Sequence, residues 1–170
     1  GEVRASIALL ERVNHLYPIN AGSYRMLSLQ YRRLHEEEQN PAYLDLALAN
    51  AARAVELSPV NSSMHHTLGR LYLDVGSVSD GEHHLRTAVA YAGHQRRPFL
   101  DLGWLYLTQG RDDEAAEIFL RGVGHSDLVL ESTHGRTHRD QVIEELVFMH
   151  SLLYRYYKER GQELEAQEQR

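Results

Sequence analysis

Long helical patterns of apolar and polar positions fill this chain, and the strict alternation of a half-buried strand is missing. The pattern repeats. Leu68 and Leu102, Gly69 and Gly103, Tyr72 and Tyr106, and Gly76 and Gly110 are each separated by 34 residues. A fixed period of this length is the mark of stacked supersecondary units. Gly69 and Gly103 fall in mid-helix, where glycine costs ~1 kcal/mol against alanine, so a neighbouring helix is expected to come close there. Gly76 and Gly110 fall where a helix should end in a left-handed cap. The spacing therefore predicts helices only, in antiparallel pairs, with boundaries near Asn61 and at Gly93 to Gln95.

One unit reads His65, Leu68, Gly69, Tyr72, Gly76, Gly81, Leu85, Ala88, and the next reads Phe99, Leu102, Gly103, Tyr106, Gly110, Ala115, Phe119, Gly122. This succession resembles the tetratricopeptide repeat family, in which a large residue, Leu-Gly and Tyr on a first helix precede a turn glycine and small and aromatic residues on a second. The resemblance is strong over residues 43–124 and weaker outside. In an earlier unit, Tyr24, Leu27, Ser28 and Tyr31 fit the first helix, and Ala47, Ala54 and Pro59 the second. About seven extra residues part them, with Glu36-Glu37-Glu38-Gln39-Asn40-Pro41 as the expected loop, its acids a solvated helix end and turn. Ser6, Leu10, Val13 and Pro18 fit a lone second helix, and Tyr17-Pro18-Ile19-Asn20 echoes Ser58-Pro59-Val60-Asn61.

The resemblance implies an all-α fold, a right-handed α-solenoid of antiparallel helix pairs. Its expected organisation is one domain over residues 1–170: a lone helix at 2–17, repeats at about 21–61, 62–95 and 96–129, an insertion at about 125–142, and a partial repeat at about 147–170. Ser126, Ser132, Thr133, His134, Gly135 and Thr137 give the insertion a loop-like character. Leu153, Tyr154, Tyr157, Gly161 and Ala166 fit a further first helix and the start of a second. Because the array begins and stops within a unit, the chain is expected to be a piece of a longer protein.

Composition narrows the function. Hydrophobic residues are 42% of the 170, enough for a core, and only four are proline, which argues against disorder. The net charge of −6 argues against a nucleic-acid binder. With no cysteine, thiolate metal sites, disulfides and a cysteine nucleophile are excluded. No apolar run approaches the ~18 residues of a spanning helix, so direct membrane insertion is not expected. The compartment stays open between cytoplasm and periplasm. Lys158 is the one lysine among 18 basic residues, a skew that points to GC-rich coding and a bacterial source.

Catalytic chemistry finds little support. His134 and His138 share a helical spacing, but the acid of a His-Glu-x-x-His site is missing, and the pairs His65-His66 and His83-His84 diverge on a helix. Asp112, Asp113, Glu114 and Glu117 cluster at a helix start, where acids suit the positive dipole end. No phosphate-binding glycine loop or Gly-x-Ser-x-Gly elbow is present. Neither an enzyme, nor a cofactor, nor a metal site is expected.

The resemblance also assigns a binding face, since first helices of this family line the concave side. Carried over position by position, that face would hold Arg25, Leu29, Arg32 and Arg33; then Ser63, His66, Arg70, Leu73 and Asp74; then Arg97, Leu100, Trp104, Leu107 and Thr108; and last Phe148, Ser151, Arg155, Lys158 and Glu159. The candidate partner-binding residues are Arg25, Arg32, Arg33, His66, Arg70, Arg97, Trp104 and Arg155. Trp104 is the sole tryptophan and would be an exposed aromatic of the kind that anchors interfaces. The Lys and Asn of carboxylate-clamping repeats are absent, and Asp101 would repel a carboxylate. The leading expectation is a protein-interaction module for a partner peptide or helix, an acidic one if the arginines face it. The alternative is such a domain appended to a bacterial polymer-export, glycan-assembly or secretion protein, docking or positioning its machinery.

Overall fold

Two asparagines open helices with their own side chains. Asn20 Oδ1 accepts from the Ser23 amide at 3.2 Å, and Asn61 Oδ1 from the Ser63 amide at 3.0 Å, which satisfies amide donors that the first turn of a helix leaves free. The computed structural model describes residues 1–93, 95–124 and 136–168. Among them are eight helices and no strand: α1 (Glu2–Leu16), α2 (Ala21–Glu38), α3 (Ala42–Leu57), α4 (Ser62–Asp74), α5 (Val78–Ala90), α6 (Arg97–Thr108), α7 (Asp112–Gly124) and α8 (Arg136–Glu168).

The chain forms two compact units, Gly1–Ala92 and Gly93–Arg170. In the first, α1 packs on α2, α2 pairs with α3, and α4 pairs with α5. Its core joins Val3 and Ile7 of α1 to Leu27, Tyr31 and Leu34 of α2, to Ala47 and Ala51 of α3, and to Leu68 and Leu71 of α4. The alanines are fully buried because a second helix presses close there. Tyr31 keeps its hydroxyl proton: burial, followed by a hydrogen bond to Glu11, pushes its pKa up to about 12.

In the second unit α6 pairs with α7, and α8 lies against α7. Phe99, Leu102, Phe119 and Met149 are fully buried there. At Gly103 the second helix of the pair presses on the first. A Cβ on it would stand 2.4 Å from Phe119 Cε1, so no larger residue fits without moving a buried ring. Gly110 ends α6 with a φ of +70°, the left-handed conformation that favours glycine.

Two expected loops fold differently. Glu36, Glu37 and Glu38 are helical, and only residues 39–41 link α2 to α3. The extra residues lengthen the helices: α2 has 18 residues and α3 has 16, against 13 each in α4 and α5. The cause is local. Arg32–Glu36 at 3.7 Å and Arg33–Glu37 at 3.2 Å are i,i+4 pairs that support a helix. The second difference is α8, which continues through Gly161 to Glu168 without a second helix beginning. Gly161 does not take a positive φ, and the following Gln-Glu-Leu-Glu-Ala-Gln-Glu consists of good helix formers. Thr137, expected in a loop, sits in the first turn of α8. The loop-like residues Ser126, Ser132, Thr133, His134 and Gly135 lie outside the described residues.

Candidate partner-binding surfaces

In the first unit, Arg25, Arg32 and Arg33 are carried by α2, and His66 and Arg70 by α4. Apolar residues on the opposite side of each helix enter the core and leave these positions outward. Arg32 Nε donates to Asp74 Oδ2 at 2.6 Å, and its Nη2 donates to Asp74 Oδ1 at 3.3 Å. This forked pair joins α2 to α4, and both partners are positions that the repeat register assigns to one face. Arg33 pairs with Glu37, on its own helix. Arg25 is half-buried, its Nη2 3.9 Å from the Met26 sulfur.

In the second unit, Trp104 of α6 is 52% exposed and Phe148 of α8 is also exposed. Their ring centroids are 6.3 Å apart, within the range at which aromatic pairs attract. Here again two residues assigned to one face from different first helices meet. Arg97 lies 3.5 Å from Glu145, and Arg155 lies 3.9 Å from Glu159. Next to Arg155 is a cleft of about 150 Å³ walled by Leu107, Ala116, Phe119, Leu152 and Leu153, with Asp112, Tyr156 and Glu159 at its polar edge. Arg32, Arg33, Arg97 and Arg155 each carry an acid neighbour of their own.

Two groups escaped the sequence reading. Glu145 reaches the buried Arg96 at 3.3 Å as well as Arg97, tying α8 to the start of α6. The second is a histidine cluster. His65 Nδ1 and His84 Nδ1 are 2.9 Å apart, and His65 Nε2 is 2.9 Å from the Pro59 carbonyl oxygen. That oxygen can only accept, so His65 carries its proton on Nε2, and His84 Nδ1–H donates to the bare His65 Nδ1. Tyr72 stacks on His84 with an interplanar angle of 4°, and His83 meets it edge-on. Desolvation by burial, then the charges of His65 and His83, hold the His84 pKa down at about 4, against an opposing pull from Asp80. The signal in the sequence was the His at position 65, where the next unit has Phe99. Among the described residues no three His, Asp or Glu side chains are placed to hold a metal ion, and no described helix is long and apolar enough to cross a membrane.

Paired antiparallel helices, mid-helix glycines under the second helix and like-facing contacts between first helices define the chain as an α-helical repeat protein of the tetratricopeptide fold. Solved structures agree. A crystal structure of MamA superposes with a TM-score of 0.61 at 15% identity, over 95% of this chain and 92% of that one. MamA from Desulfovibrio magneticus gives 0.61 at 16% identity, over 75% of this chain and 68% of the other. The thermophilic tetratricopeptide-repeat protein TTC0263 of Thermus thermophilus gives 0.61 at 22% identity, over 86% and 74%. At such identities the likeness is one of fold. No known family's sequence pattern matches the chain, and no curated protein matches it in sequence.

Proposed function

We propose that this chain is a protein-interaction module that receives an acidic peptide segment on the outward face of its first helices. The observation that carries the reading is the Trp104–Phe148 pair, two exposed aromatic rings set together on the helices that also carry Arg97 and Arg155. Large exposed aromatics with nearby arginines are what binding hot spots are made of. Arg25, Arg32, Arg33, His66 and Arg70 give the first unit a basic stretch on its own first helices. The acid neighbours of these arginines do not stand in the way. The Arg33–Glu37 and Arg155–Glu159 pairs are exposed on both sides and worth ~0–1 kcal/mol each, so an incoming carboxylate exchanges for one at small cost, and the planar guanidinium grips it with two hydrogen bonds.

Trp104 is the only tryptophan, so its fluorescence reports directly on ligands at this surface. Titration with a Glu-rich peptide containing one aromatic residue should shift the emission. Affinity should fall as salt rises, since exposed charges are screened beyond ~8 Å at physiological ionic strength. Arg70→Glu combined with Arg97→Glu should weaken binding while the circular dichroism spectrum is unchanged. Equal affinity of this double variant and the wild type at low salt would end the acidic-ligand reading and leave the fold assignment standing.

A further inference from the structure

Helix α8 presents a second face, which shares only its Ser151 and Lys158 flank with the binding face. Ile143, Val147, His150, Tyr154 and Tyr157 follow one another at intervals of four, three, four and three residues, and Gly161 continues the series. That spacing is the seam of a two-stranded coiled coil. The seam is bare: Val147 is 62% exposed and Tyr154 70%, and Ile143, His150 and Tyr157 are exposed as well. The helix is anchored to its own unit by a different row, which includes the buried Met149 and Leu153. Phe148, which faces Trp104, lies on the other flank.

We infer that this seam is a dimerisation surface, occupied by the α8 of a second copy of the chain in antiparallel orientation. Charge chooses the occupant and its direction. Beside the seam, on the flank away from Leu153, stand Glu144, Ser151 and Lys158, one heptad apart. Among the described residues neither Glu144 nor Lys158 has an ion pair of its own. In an antiparallel pair this flank meets the same flank of the partner, so Ser151 falls on the two-fold axis. Glu144 of each copy then faces Lys158 of the other. The seam is self-complementary in the same register: Val147 packs on Tyr157, His150 on Tyr154, and Ile143 covers the space over Gly161. A parallel pair would instead set Lys158 against position 153, where Leu153 is buried in its own core. Two identical patches meeting about a two-fold axis form a closed dimer.

Sedimentation equilibrium of the chain tests this. At high micromolar concentration the wild type should approach twice the 19.5 kDa of one chain. Val147→Glu with Tyr154→Glu should remain at the mass of one chain with its helical circular dichroism retained. Glu144→Lys alone and Lys158→Glu alone should each weaken the dimer about tenfold, by turning two attractions into two repulsions, and the combined swap should restore it. Because the chain has no cysteine, Ser151→Cys should give a disulfide-linked dimer on mild oxidation. A wild type that stays at the mass of one chain would overturn the proposal and leave the seam to a helix of another protein. So would a dimer indifferent to the double glutamate variant, or a charge swap that fails to restore it.

Discussion

The helix pairs α4–α5 and α6–α7 are built on one 34-residue template and filled with different chemistry. Where α6 has Phe99, α4 has His65; where α7 has Ile118 and Phe119, α5 has His84 and Leu85. The aromatic bulk of the second pair makes its glycine strict: a Cβ on Gly103 would stand 2.4 Å from the Phe119 ring. In the first pair, a Cβ on Gly69 would stand 3.0 Å from Leu85 Cγ and 3.1 Å from the Gly81 carbonyl oxygen. The first pair has instead placed two hydrogen-bonded imidazoles at the positions equivalent to Phe99 and Ile118, which ties its packing to protonation. The same backbone spacing can thus be held by shape in one place and by polar pairing in another.

The largest expected effect is at the strict glycine. Gly103→Leu should destabilise by about 3 kcal/mol or more, since the buried ring has nowhere to go, and thermal melts followed by circular dichroism would measure it. Gly103→Ala should cost about 2 kcal/mol and Gly69→Ala clearly less, because alanine's better helix propensity returns about 1 kcal/mol at both sites. Phe119→Leu, which copies the first pair's Leu85, should cost less in the Gly103→Ala background than alone, a coupling that a double-mutant cycle reads out. Additive costs would break the claim that ring and glycine set each other.

The histidine pair predicts an acid response. His84 is depressed from 6.5 to about 4 in the folded chain, so between those values the unfolded chain binds a proton that the folded one refuses. Its contribution is complete above about pH 6.5 and is lost as pH falls towards 4. The melting temperature should drop by about 3 °C from about pH 7 to about pH 5, and His84→Leu should flatten that part of the profile. The smallest effects belong to the matching first-turn contacts. Arg111, paired with Glu114 and lying 4.0 Å over the Tyr106 ring, should cost about 1 kcal/mol on mutation to Ala. Ser77, whose hydroxyl donates to Asp80, should cost about 0.5 kcal/mol on mutation to Ala.

What the sequence reveals follows from what repeats in it. Leu68, Gly69 and Tyr72 recur as Leu102, Gly103 and Tyr106 because each unit must close on a neighbour of the same shape, so periodicity exposes the fold. Contacts such as Arg32 with Asp74 and Trp104 with Phe148 come within reach of the family resemblance, which assigns their residues to one face of the first helices. Glu145 with Arg96 and Tyr156 with Asp113 do not. They join residues 49 and 43 apart that the resemblance assigns to no shared face. The length of α2 and α8 was hidden for another reason. Helix ends depend on local propensity and ion pairs such as Arg33–Glu37, which a comparison of repeats reads as an insertion.

The turns Tyr17-Pro18-Ile19-Asn20 and Ser58-Pro59-Val60-Asn61 are built alike. In each, the asparagine amide donates to the carbonyl of the first residue, at 3.1 and 3.3 Å, and the asparagine side chain caps the next helix. They stand 41 residues apart, as do Leu27 and Leu68, and Tyr31 and Tyr72. Excising Pro18 through Ser58 would therefore join Tyr17 to Pro59 with the junction intact, and would offer α1 a leucine and a tyrosine in the places it already uses. Such a turn works as a splice point. A gene encoding this protein can gain or lose whole helix pairs in a single event, so the number of pairs can drift among its descendants while the junction stays fixed.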